Sequence, residues 1–151
     1  PHRWYECINE KKDGNISKVT PTSVPEALRK WFILHFWADI LFAIPLFIAP
    51  NIMLGALGWK HIDPYTARLT AAALFGIGIE SWLGRHARSE TFCAMLNMKI
   101  IWSGTACIGI GISLLEAPHA RPMFAWVTLA IFILFHALWV YWRIRLQRLS
   151  A

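Results

Sequence analysis

Six side chains suited to acid–base or ligand chemistry lie inside long apolar stretches of this 151-residue chain: His35, Asp39, Glu80, Asn97, Lys99 and His136. An ionisable group in such surroundings is costly, so each calls for a functional reason. Imidazole titrates near neutrality, and His, Asp and Glu around one water-filled cavity can relay protons. His35 and His136, at similar depth on antiparallel helices, are candidate axial ligands for haem iron. Glu80 or Asp39 beside His35 or His136 would make an acid–base pair for a lipid-soluble substrate, with Trp37, Trp82, Trp102 and Trp139 available as lining. The structural alternative is that these groups hydrogen-bond across helices and set the register of a bundle. The candidate ligand- or proton-binding set is therefore His35, Asp39, Glu80, Asn97 and His136, with no catalytic role or cofactor assigned. Cys93 and Cys107 share one expected helix about 21 Å apart, too far to bridge. No metal-ligand spacing, phosphate loop or nucleophile elbow is present.

The elements that must hold these groups are membrane spans. The chain is 56% hydrophobic and only 16% charged, with a mean hydropathy of +0.42. A soluble domain carries about 25% charged residues. Residues 1–22 read as a polar N-terminal extension and 23–151 as the membrane domain. Ser23-x-x-Glu26 has capping-box spacing with Pro25 in the first turn, which predicts a span over 24–49, kinked at Pro45 and stopped by Pro50. Residues 51–62 are too short to span and predict an interfacial turn or helix. Asp63-Pro64 predicts a capped second span over 64–84. Ser89-Glu90 opens a third, over 90–115. Pro122 opens the fourth, 122–143, whose basic continuation RIRLQRLS should follow a membrane surface. The expected fold is an all-α, four-helix transmembrane bundle of up-down topology.

The net charge of +6 does not mark nucleic-acid binding, because the basic residues sit at span ends rather than on a polar face. Arg3, Lys11, Lys12, Lys18, Arg29, Lys30, Arg85, Arg88, Arg143, Arg145 and Arg148 fall on one side and only Lys60, Arg68 and Arg121 on the other, eleven against three. The positive-inside rule then places both termini in the cytoplasm. That orientation leaves the glycosylation-type triplet Asn15-Ile16-Ser17 on the unglycosylated side. The expected location is the cell membrane, with the lipid bilayer as the principal partner and a homo-oligomer or a larger membrane complex as a possible assembly.

Counting 1.5 Å per residue from the cytoplasmic ends puts Glu80 at about 6 Å, His35 at about 7 Å, and Asn97 and His136 at about 10 Å; Asp39 and Lys99 lie at about 14 Å. Each span thus offers a polar group to one layer, and Asp39 and Lys99 could pair in a second. Ala72, Gly76, Glu80 and Gly84 recur every fourth residue, which predicts a packed face carrying Glu80 inward. Ser103, Cys107 and Gly111 form a similar stripe. Asn97 and Lys99 are two residues apart and cannot both face the centre. If Asn97 joins the layer, Lys99 must snorkel or meet another helix.

The first span ending in IAP, the GALGW turn and the DPYTARLTAAALFGIGIE opening of the second span give the stretch from about Trp31 to Trp142 a pattern that resembles the small four-helix bacterial membrane proteins of the DoxX-like type. The resemblance implies the fold and no catalytic residue. Two functional expectations follow. One is a small multi-pass protein of transport or accessory-subunit type with an intramembrane polar site near the cytoplasmic side. The other is a membrane-embedded enzyme or haem protein using the same His/Glu layer.

Overall fold

Proline and glycine punctuate the chain where it turns. In the computed structural model, which describes residues 24–116 and 122–150, helix α1 (Glu26–Ile48) begins just after Pro25 and continues through Pro45. Ser23, the expected cap, lies outside the described residues. Ala49 breaks the helix with a non-helical backbone (φ −135°, ψ 60°), and Pro50 restarts it as the short α2 (Pro50–Ala56). The N–H of Trp59 donates to the carbonyl of Leu54 and that of Gly58 to Gly55, both at 3.0 Å. This is the Schellman arrangement, and it needs the left-handed φ of +96° that Gly58 supplies. A side chain at Gly58 would also meet Pro122 Cβ at 3.3 Å, so the turn packs against the start of the last helix.

Helix α3 (Pro64–Leu83) opens as its sequence predicts. The Asp63 carboxylate accepts from the N–H groups of Tyr65 (3.0 Å) and Thr66 (3.3 Å) and from the Thr66 hydroxyl. Those donors hold the Asp63 carboxyl below its usual range, the Thr66 hydroxyl most strongly. A 3-10 turn, Gly84–His86, ends α3; α4 spans Ser89–Glu116 and α5 spans Met123–Ser150. No strand occurs among the described residues.

The helices associate as two pairs, α1 with α3 and α4 with α5. Large side chains join the pairs at the end holding the start of α1 and the close of α5. There Phe32 packs on Phe92 (centroids 4.8 Å apart) and on Trp139 (5.6 Å), among Leu28, Leu96 and Leu146. Arg29 reaches from α1 to the carbonyls of Arg85 and Ala87, the latter at 3.2 Å, tying the end of α3 to α1 while covering Phe92. Toward the opposite end the pairs separate around a cleft.

Three helices, Glu26–Ile48, Ser89–Glu116 and Met123–Leu149, are long and apolar enough to cross a membrane. Helix α3 has 20 residues but carries Arg68 and Glu80 within them, and it is not among the three. Leu41, Leu69, Ile101 and Leu134 are exposed on the bundle's flanks, as lipid-facing residues are.

Candidate functional site

The polar groups meet where the two helix pairs adjoin. His35 and Asp39 lie four residues apart on one face of α1, which places His35 Nδ1 2.8 Å from Asp39 Oδ2. From α4, the Lys99 Nζ stands 3.1 Å from the same His35 Nδ1 and donates to Ser81 Oγ of α3 at 2.8 Å. The rings of Phe32 and Trp139 cover that ammonium, each centroid 5.1 Å from Nζ. The His35 ring is itself held edge-on by Phe135 and Trp139 of α5. Asp39 Oδ2 makes no aligned hydrogen bond and packs against Gly78 of α3.

One turn further along α4, the Ser103 hydroxyl donates to the Lys99 carbonyl at 2.7 Å. The same Oγ shares a hydrogen bond with His136 Nδ1 of α5, 3.0 Å away. Gly104 makes room for this imidazole: a Cβ there would lie 3.1 Å from His136 Cε1. Polar contacts therefore cross all four long helices.

Several sequence-based expectations change in detail. Helix α3 contributes Ser81 to the centre, while Glu80 is exposed on the outer side. The predicted packed stripe is correspondingly rotated. Ala72 and Gly76 are exposed and Gly84 alone of the stripe is buried, against Met95, while α3 buries Ala67, Ala71, Gly78 and Ser81. One residue is 100° of helical rotation, and the chain carries small residues on both faces; the face that admits Asp39 against Gly78 is the packed one. Lys99 takes the central position on α4, and Asn97 accepts a hydrogen bond from Arg143 Nε at 2.8 Å, nearer the end of the bundle. The Asp39 carboxylate and the Lys99 ammonium meet at His35 Nδ1 rather than directly. His35 lines the cleft directly, and His136 lies behind it against Ser103. Trp37 is exposed, whereas Trp102 and Trp139 line the cleft. Ser81 and the buried Arg143 carry no sequence signal distinct from ordinary spans, and Ser103, read as part of a small-residue stripe, bonds His136 and lines the cleft.

The cleft has a volume of about 280 Å³. His35, Asp39, Lys99 and Ser103 form its polar floor, and Phe42, Leu46, Leu74, Trp102, Phe132 and Phe135 are among its walls. Leu54, Leu57, Trp59 and Phe124 line it toward the far end. At the floor, Nδ1 holds either a proton or a lone pair, so in any one protonation state it satisfies only one of its two neighbours. His35 Nδ1 thus stands between an acid and an amine at the floor of the cleft.

Three apolar helices of spanning length around buried polar groups form the pattern of an integral membrane protein. Comparison with family models, characterised proteins and solved structures gives no match for the chain.

Proposed function

We propose that the chain is a four-span protein of the cell membrane, of transport or accessory-subunit type, with both termini cytoplasmic, and that it moves a proton through the Asp39–His35–Lys99 group in step with a small ligand in the cleft. The eleven-to-three distribution of Lys and Arg supports the orientation. Helix α3 supports the fourth span: it has 20 residues and packs against α1. The resemblance to small four-helix membrane proteins agrees with this arrangement. The observation that carries the reading is the placement of His35 Nδ1, 2.8 Å from a carboxylate and 3.1 Å from an amine at the floor of an apolar cleft. A register-setting hydrogen bond needs one partner; a group shared by an acid and a base is suited to accepting and passing on a proton.

The test is proton uptake by liposomes containing the protein under an imposed membrane potential, followed with an internal pH dye. The wild type should exceed protein-free liposomes, and Asp39→Asn should abolish the excess. Equal uptake by the two proteins would refute the reading. Labelling of Lys60→Cys from outside intact cells, together with cytoplasmic reporter activity at the C-terminus, tests the orientation.

A further inference from the structure

We infer that the cleft takes a small organic cation, an aryl- or alkyl-bearing ammonium, seated with its charge toward Asp39 and exchanging against one proton. The inference rests on the proton-linked reading above and supplies its ligand class. Asp39 is the one anionic residue among the described lining residues, and it is only 7% exposed. Its Oδ2 has no aligned hydrogen bond despite lying 2.8 Å from His35 Nδ1. A buried carboxylate in that state favours a ligand that brings positive charge.

The walls suit the same chemistry. Phe42, Trp59, Trp102, Phe124, Phe132 and Phe135 line the cleft, and aromatic faces attract desolvated cations. A volume of 280 Å³ is at the small end for ligand pockets and selects a compact molecule. Lys99 lines the same cleft, its ammonium facing Ser81, His35 and the rings of Phe32 and Trp139.

The groups around Asp39 define the exchange. His35 shares its helix, Lys99 approaches from α4, and α3 brings Gly78 against it with the Ser81 hydroxyl behind Lys99. From α5, His136 reaches the set only through Ser103. When a cation takes its place beside Asp39, one proton leaves the Asp39–His35–Lys99 group for water. The summed charge of ligand and group is then unchanged, and no additional net charge is stored in a low-dielectric site.

The experiment compares benzyltrimethylammonium with neopentylbenzene, an uncharged isostere of the same shape. Binding to the purified protein in detergent is read by tryptophan fluorescence, and proton release by a pH dye in weakly buffered solution. The cation should bind at least tenfold more tightly than the isostere and release close to one proton per molecule bound; Asp39→Asn should remove both effects. Equal or tighter binding of the isostere, binding of neither, or a cation preference that survives in Asp39→Asn would overturn the inference. The isostere comparison needs only the wild type, so it stands even where Asp39→Asn fails to fold. Proton uptake in liposomes without cation preference would defeat this inference alone. Loss of Asp39-dependent uptake would defeat the proton reading beneath it.

Discussion

Two glycines on α3 separate the packed face from the open one, and replacing each by alanine should move stability in opposite directions. A Cβ at Gly78 would sit 2.8 Å from Asp39 Cβ, whereas at Gly76 it would meet nothing within 4 Å. Carbon atoms in contact prefer about 3.5–4.0 Å, so Gly78→Ala must open the α1–α3 contact by about 1 Å. The obstructing atom is a Cβ fixed to the α1 backbone, not a flexible tip, so the helices themselves must part. Overpacking of this kind costs about 1–3 kcal/mol. At about 2–4 °C per kcal/mol for a chain of this size, Tm should fall by roughly 2–12 °C. Gly76→Ala meets no obstacle and removes only the helical penalty of glycine, so it should gain about 0.5–1 kcal/mol, a rise of roughly 1–4 °C. The assay is thermal unfolding of both variants in one detergent. Gly78→Ala should also disturb the proton uptake that depends on Asp39, and Gly76→Ala should not. Equal shifts of the same sign would refute the assignment of the Gly78 face to α1.

Lys99→Met keeps the stem and removes the ammonium, leaving His35 Nδ1 and the buried Ser81 hydroxyl without that partner; a loss of about 1–3 kcal/mol is expected in the same thermal assay. Asp63 should respond to pH. Its carboxyl is held below the ordinary value of 3.8, so its cap contributes in full above that value and is lost as pH falls through the lower folded one. Amide shifts of Tyr65 and Thr66 should report this loss at acid pH, and Asp63→Asn should abolish the dependence. Asn97→Ala should lower Tm by removing the hydrogen bond between Asn97 and Arg143 Nε while leaving Asp39-dependent uptake intact, since Asn97 lies outside the cleft lining.

How far these features were legible in the sequence follows the range of the forces behind them. Asp63-Pro64 and Gly84–His86 act on their own turns, so residue type alone located the ends of α3. His35 and Asp39 were readable as a pair because four residues on a helix fix their relation without reference to any neighbour. Glu80 against Ser81, and Asn97 against Lys99, depended on which side of a helix meets another. Small residues occupy two faces of α3, so spacing could not choose between them. The decision lies in the fit of Asp39 against Gly78, a contact between residues 39 positions apart in the chain. The cleft itself belongs to no single segment and had no local signal.

The pairing of α1 with α3 and of α4 with α5 has a consequence for how the molecule comes apart. Each half contains its own closest helix contact, and the covalent link between halves is the short stretch after α3. Separately translated fragments divided near residue 87 should therefore find each other in the bilayer and rebuild the whole. Across the join side chains do the touching: Phe32 packs on Phe92 and Trp139, and Lys99 reaches His35 and Ser81.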